Sequence, residues 1–183
     1  MLTPFLRGGA AVLVLAVASL GAYANPMVGG AAMYDTKTIV ENAMNSKDHT
    51  TLVSAVKSAG LVDTLSGKGP FTVFAPTNAA FGALPAGTVE TLMKPESKDK
   101  LTKVLTAHVV AGKLSGKELM DKARIMKDGL SLQTVSGDTL WAKLDGNTLW
   151  IIDENGGTAR VVIADVTQSN GVIHVVDKVL LPK

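Results

Sequence analysis

Three histidines, His49, His108 and His174, are the side chains of this sequence whose ordinary pKa suits general-base chemistry or neutral metal ligation near pH 7. Their spacing argues against both. No His-x-x-x-His or His-x-His pair occurs, and there is no cysteine to complete a tetrahedral zinc set. His49 follows Asp48 at a helix start, His108 lies on an apolar helix stripe, and His174 sits between Ile173 and Val175 in a strand. A lone histidine in such surroundings serves as a hydrogen-bonded core residue. Asp153 with Glu154, and the carboxylates around Glu90, would need convergent geometry to act as an acid/base pair, and spacing does not supply it. No serine stands in Gly-x-Ser-x-Gly, and Gly67-Lys68-Gly69 is not a phosphate loop. The expectation is a protein that is not an enzyme, with no metal and no cofactor.

Recognition chemistry is offered instead by Trp141 and Trp150, two indoles in a chain with only 4% aromatic residues. They flank the turn-like Asp145-Gly146-Asn147. A hairpin loop of Asp145-Gly146 sets Trp141 directly opposite Trp150, whereas a loop of Gly146-Asn147 shifts the partners. In both registers the indoles share one face. That face also carries Thr139, Lys143 and Thr148, while Leu140, Ala142, Leu144, Leu149 and Ile151 make the other face apolar. Two readings stay open: a platform for a sugar ring or a polyene, or indoles packed inside beneath covering helices.

The elements that position these groups begin some way into the chain. Arg7, the apolar stretch from Gly8 to Leu20, and Ala22-Tyr23-Ala24 read as a secretory signal peptide, residues 1–24, cleaved before Asn25. Its apolar core falls short of the ~20 residues of a membrane span. Cleavage leaves about 159 of the 183 residues, enough for one domain with a sizeable core. An exported chain without cysteine has neither disulfides nor a thiol-linked lipid anchor, so its core must suffice. The formal charge of +2 falls by one with Arg7. Lysines and acids alternate, as in Lys94-Pro95-Glu96-Ser97-Lys98-Asp99-Lys100, so the basic stripe of a nucleic-acid binder and a polybasic membrane patch are both lacking. A secreted or periplasmic protein with no membrane span after cleavage is expected.

Residues 25–35 show little periodicity and are expected to form a flexible N-terminal arm, with the ordered domain from residue 36. Ile39, Val40, Ala43 and Met44 recur at helical spacing, as do Leu52, Val53, Val56 and Ala59 after Asp48 as N-cap and before Gly60 as stop. Phe71 to Ala75 reads as a buried strand ended by Pro76, with Thr77 capping a short helix over residues 78–84. Leu101, Val104, Leu105 and His108 stripe a helix beginning near Pro95, and Ser115 to Glu118 has capping-box spacing. Strands are expected over residues 130–135, 139–144, 148–152, 159–166 and 172–181. A helix-rich half followed by a strand-rich half predicts an α+β domain.

Two stretches carry the most specific signal: Phe71-Thr72-Val73-Phe74-Ala75-Pro76-Thr77-Asn78-Ala79-Ala80-Phe81, and Asn170-Gly171-Val172-Ile173-His174-Val175-Val176-Asp177-Lys178-Val179-Leu180-Leu181-Pro182. Together they resemble the paired signature motifs of the fasciclin domain, and the resemblance covers residues 36–183. It implies a fasciclin-like wedge of mostly antiparallel β-strands with a helical N-terminal half and the two signature strands adjacent at its centre. It gives Phe74, Thr77, Asn78, Phe81, His108, Asn170, Gly171, His174 and Asp177 structural roles. Ala107 departs from the family, which has a tyrosine before the histidine. Asp165 and Val166 align with an Asp-Ile pair that animal matrix members use to recognise integrins; the plainer reading is a strand-end aspartate that satisfies loop amides. The function implied is an exported cell-surface or matrix adhesion or protein-interaction module, here of a bacterium. The alternative is a carrier of a small apolar ligand such as a carotenoid. Expected partners are a cell-surface or matrix protein or glycan, and further copies of the chain, with no nucleic acid.

Overall fold

Phe71 to Pro76 and Gly171 to Val176 are apolar almost without alternation, the pattern of strands covered on both faces. The computed structural model, which describes residues 24–183, makes them β3 (Phe71–Pro76) and β9 (Gly171–Val176). They pair in parallel, Phe74 beside His174. Two glycines permit the close start of this pair: a Cβ on Gly171 would lie 2.1 Å from the Phe71 carbonyl oxygen, and one on Gly69 would lie 1.9 Å from that of Asn170. β4 (Val109–Ala111), β5 (Leu130–Gln133), β6 (Thr139–Asp145), β7 (Thr148–Ile152) and β8 (Thr158–Gln168) complete a seven-stranded sheet in the order β4-β3-β9-β8-β7-β6-β5, antiparallel at every other pairing. A bridge between Val110 and Thr134 joins the two edge strands, so the sheet rolls towards a barrel and its edges are covered. The fold is α+β, as expected.

Opposite faces of β3 and β9 feed two cores. Phe74 and Val176 point into the rolled sheet with Leu132, Leu140, Ala142, Leu149, Ile151 and Ala159. Val73, Ala75, Ile173 and Val175 point outward to the helical layer. That layer comprises α1 (Ile39–Ala43), α2 (Thr50–Ala59), α3 (Val62–Ser66), α4 (Asn78–Gly82), α5 (Thr88–Leu92) and α6 (Lys98–Thr106). The remaining α-helix among the described residues, α7 (Gly116–Ile125), closes the rolled sheet with the fully buried Leu119. Thr38 with Glu41, and Ser115 with Glu118, form capping boxes that satisfy the first amides of α1 and α7. Hydrogen bonds from the capping residues hold both glutamates below the usual carboxylate range.

Several expectations change. The signal-peptide reading falls on residues outside those described, Ala24 excepted. Residues 25–35 are not a loose arm: Met27–Val28 and Ala31–Ala32 are β1 and β2 of a hairpin. Gly29 and Gly30, at φ of 57° and 76°, supply its two-residue turn. Val28 and Met33 are 4% and 2% exposed within the helical-side core, so apolar burial orders the segment. Asp48 does not cap α2. It lies in a single 3₁₀ turn, Lys47–His49, and the amide of Thr51 donates to Asn78 Oδ1 at 3.0 Å. α3, α5 and β4 are too short to leave a periodic trace. The strand expected to reach residue 181 stops at Val176.

Candidate interaction surface

The three histidines are all buried, and burial lowers the pKa of each. His108 accepts the Leu180 amide on Nε2 at 2.9 Å and faces the Val104 carbonyl with Nδ1 at 2.8 Å, which fixes a neutral ring protonated on Nδ1. Burial pushes its pKa down to about 4. Its ring ties the end of α6 to the C-terminal tail. His174 accepts the Asp165 amide on Nδ1 at 3.3 Å, faces the Leu114 carbonyl with Nε2 at 2.8 Å, and stacks on Phe74 with ring centroids 5.7 Å apart. His49 bonds Ser46 Oγ at 2.9 Å, while its Nε2 has no hydrogen-bond partner. All three are locked into packing.

The other motif residues are fasteners too. Thr77 Oγ1 accepts the Ala80 amide, and Asn78 Nδ2 donates to the Lys47 carbonyl at 2.8 Å. Phe81 is 5% exposed in the helical-side core. Asn170 Oδ1 accepts the Ile39 amide at 3.0 Å, and its Nδ2 donates to the carbonyls of Leu65 and Gly67. Asp177 accepts the Arg160 amide at 2.8 Å and pairs with the Arg160 Nε at 3.4 Å. Gly171 provides the close strand approach described above. Ala107, in place of the family tyrosine, is the C-cap of α6 and is 1% exposed.

Asp165 and Val166 separate in space. Ala164 and Asp165 form a bulge in β8 opposite His174, with Val166 following it, and Asp165 adopts a φ of 60°. Its exposed carboxylate accepts the Gly116 amide at 2.7 Å, at the start of α7. Gly116 leaves room for it, since a Cβ there would lie 2.9 Å from Asp165 Oδ2. Val166, by contrast, is fully buried in the helical-side core. Its side chain is therefore not presented to a partner, because the bulge turns its neighbour outward while it fills the core.

Trp141 and Trp150 do share a face. The loop is Gly146-Asn147, so Trp150 pairs with Lys143 and Trp141 with Ile152, leaving the indoles diagonal. Both are half-buried. The opposite face, with Leu140, Ala142, Leu149 and Ile151, takes α7 through Leu119. The helix therefore packs against the rolled sheet's inner face, not over the tryptophans. Two narrow apolar pockets beneath the helices have cavity volumes of about 30 Å³ each, room for roughly one water. Among the described residues no group of three or more His, Cys, Asp or Glu side chains converges as a metal site, and no helix is long and apolar enough to cross a membrane.

Sequence reasoning missed the buried polar fasteners outside the motifs. Asn42 exchanges two hydrogen bonds with the Tyr34 backbone and bonds Gln168. Asp153, 4% exposed, accepts amides of Asn155, Gly157 and Leu181. The available signal for Asp153 was an acid beside a glycine-rich turn, Asn155-Gly156-Gly157.

The comparisons with known proteins agree with this geometry. A family model for the Fasciclin domain matches residues 47–182. Protein sll1483 of Synechocystis sp. is 47% identical over 156 residues, 85% of this chain and 79% of that protein. Cell surface glycolipoprotein MPB83 of Mycobacterium bovis is 37% identical over 145 residues, 76% of this chain and 58% of that protein. Among solved structures, a FAS1 domain pair from the insect cell adhesion molecule Fasciclin I superposes with a TM-score of 0.69 at 20% identity, over 79% of this chain and 51% of that chain, a likeness of fold. With both signature strands paired and its motif residues serving as fasteners, the chain belongs to the fasciclin domain family.

Proposed function

We propose that this chain is an exported module of cell-surface or matrix recognition that works by contact rather than by catalysis. The observation that carries the reading is the contrast between its polar groups and its sheet face. His108, His174, Asp153 and Asp177 are spent on internal hydrogen bonds, whereas the half-buried indoles lie on a face that α7 does not cover. A folded domain with a partly exposed aromatic face suits binding. The cell-surface name of the Mycobacterium bovis relative supports the location. Affinity gained by display of many copies would compensate for weak single contacts.

Two measurements test the reading. Cell fractionation with N-terminal sequencing is expected to find the protein outside the cytoplasm, beginning at Asn25. Beads coated with the purified protein are expected to attach to the producing cells or their matrix above beads coated with heat-denatured protein. Equal attachment of both bead types would remove the recognition reading, and a cytoplasmic, unprocessed chain would remove export.

A further inference from the structure

Strand register arranges the face that carries the indoles in rows. Ser131, Trp141, Ile152 and Thr158 are successive partners across β5, β6, β7 and β8. In the adjacent row, Lys143, Trp150 and Arg160 are partners across β6, β7 and β8, so one indole lies between two cations. Residues alternating with them, Leu132, Leu140, Ala142, Leu149, Ile151 and Ala159, are buried in the inner core, so the rows face away from it.

We propose that this face is a binding site for a uronate-bearing polysaccharide, a deepening that rests on the recognition reading above. An indole offers a flat apolar surface on which the C–H face of a pyranose ring stacks. The ring's hydroxyls are met by neutral donors and acceptors, which Ser131 and Thr158 provide at the two ends of the Trp141 row. Charge complementarity selects the acidic polymer. Lys143 takes part in none of the ion pairs among the described residues, and the Arg160 guanidinium meets Asp177 through Nε at 3.4 Å. Its remaining N–H donors suit a planar carboxylate. The face spans three strand spacings, about 14 Å, which accommodates a short run of sugar rings. Asp145, paired with Thr148 at the hairpin end, sets an unfavourable charge at that edge and limits the site there.

The test uses the purified mature protein in native gels cast with polygalacturonate or with its methyl ester, which keeps the sugar backbone and removes the charge. The expected result is retardation by polygalacturonate, at least threefold less by the ester, and loss of at least tenfold in apparent affinity for Trp150→Ala. Lys143→Gln is expected to weaken binding several-fold and erase the preference over the ester. Trp150→Phe, which keeps an aromatic ring, checks that a loss is not one of folding and is expected to retain part of the binding. The chain's two tryptophans both lie on this face, so bound polymer should also protect their fluorescence from acrylamide. Equal retardation of wild type and Trp150→Ala, or none by polygalacturonate, overturns the proposal. A dimer by sedimentation that Trp150→Ala dissociates, without polymer binding, overturns it in favour of a second copy. Because cells are absent, failure here is separable from failure of attachment to cells.

Discussion

His108 illustrates what a functional-looking residue does in this chain. Its buried ring titrates near 4 in the folded protein, against about 6.5 in an unfolded chain. Between these values the unfolded state takes up a proton that the folded state refuses. Stability is therefore complete above about pH 6.5 and is lost as the pH falls towards 4, a contribution of about 3 kcal/mol. His49 and His174 are shifted the same way and add to the loss. Urea midpoints between pH 7 and pH 4 are expected to fall steadily, and less steeply in His108→Gln. Asp165 separates structure from recognition. Asp165→Ala removes the bond to Gly116 and leaves a β-carbon at positive φ, a cost of about 2 kcal/mol. Asp165→Asn keeps an acceptor and tolerates that backbone, so its midpoint is expected to stay within about 0.5 kcal/mol of wild type. A defect in attachment at unchanged stability would then assign Asp165 a recognition role. The burial of His108 and His174 was legible from their apolar neighbours. Burial of Val166 was not, because a bulge reverses the alternation on which a strand's faces are read.

At the scale of elements, the signature strands were legible and the N-terminal hairpin was not. β3 announces itself by an apolar run between Gly69-Pro70 and Pro76, and β9 by one that opens at Asn170-Gly171. β1 and β2 have two residues each, below any period, and their order comes from tertiary burial of Val28 and Met33. Met33→Ala is accordingly expected to cost about 2–4 kcal/mol in urea denaturation, whereas a loose arm would cost nothing. Gly171→Ala is expected to be severe, at least about 3 kcal/mol, because its Cβ would meet the Phe71 backbone at 2.1 Å and force the parallel pair apart. A change below about 1 kcal/mol would show that the pair tolerates separation. The tryptophan hairpin was legible as a shared face but not in its register, since Asp145-Gly146-Asn147 supports two turns and only strand pairing selects Gly146-Asn147.

The whole molecule is a sheet rolled around one core, with most helices packed over β3 and β9 and one packed inside against the other strands. Composition and motif spacing were enough to indicate the class. They left open whether the indoles are covered, because that depends on which side of the sheet α7 takes, a long-range choice that no local pattern encodes. Its placement on the inner face keeps it off the half-buried indoles of the outer one, and the account of function rests there. The most direct measurement is attachment by cells of the producing organism from which the protein has been deleted, restored with wild type or with the Trp141→Ala, Trp150→Ala double variant at matched abundance. The account predicts reduced attachment in the deletion strain, recovery with wild type, and little recovery with the double variant. Undiminished attachment without the protein, or full recovery with the double variant, would contradict it.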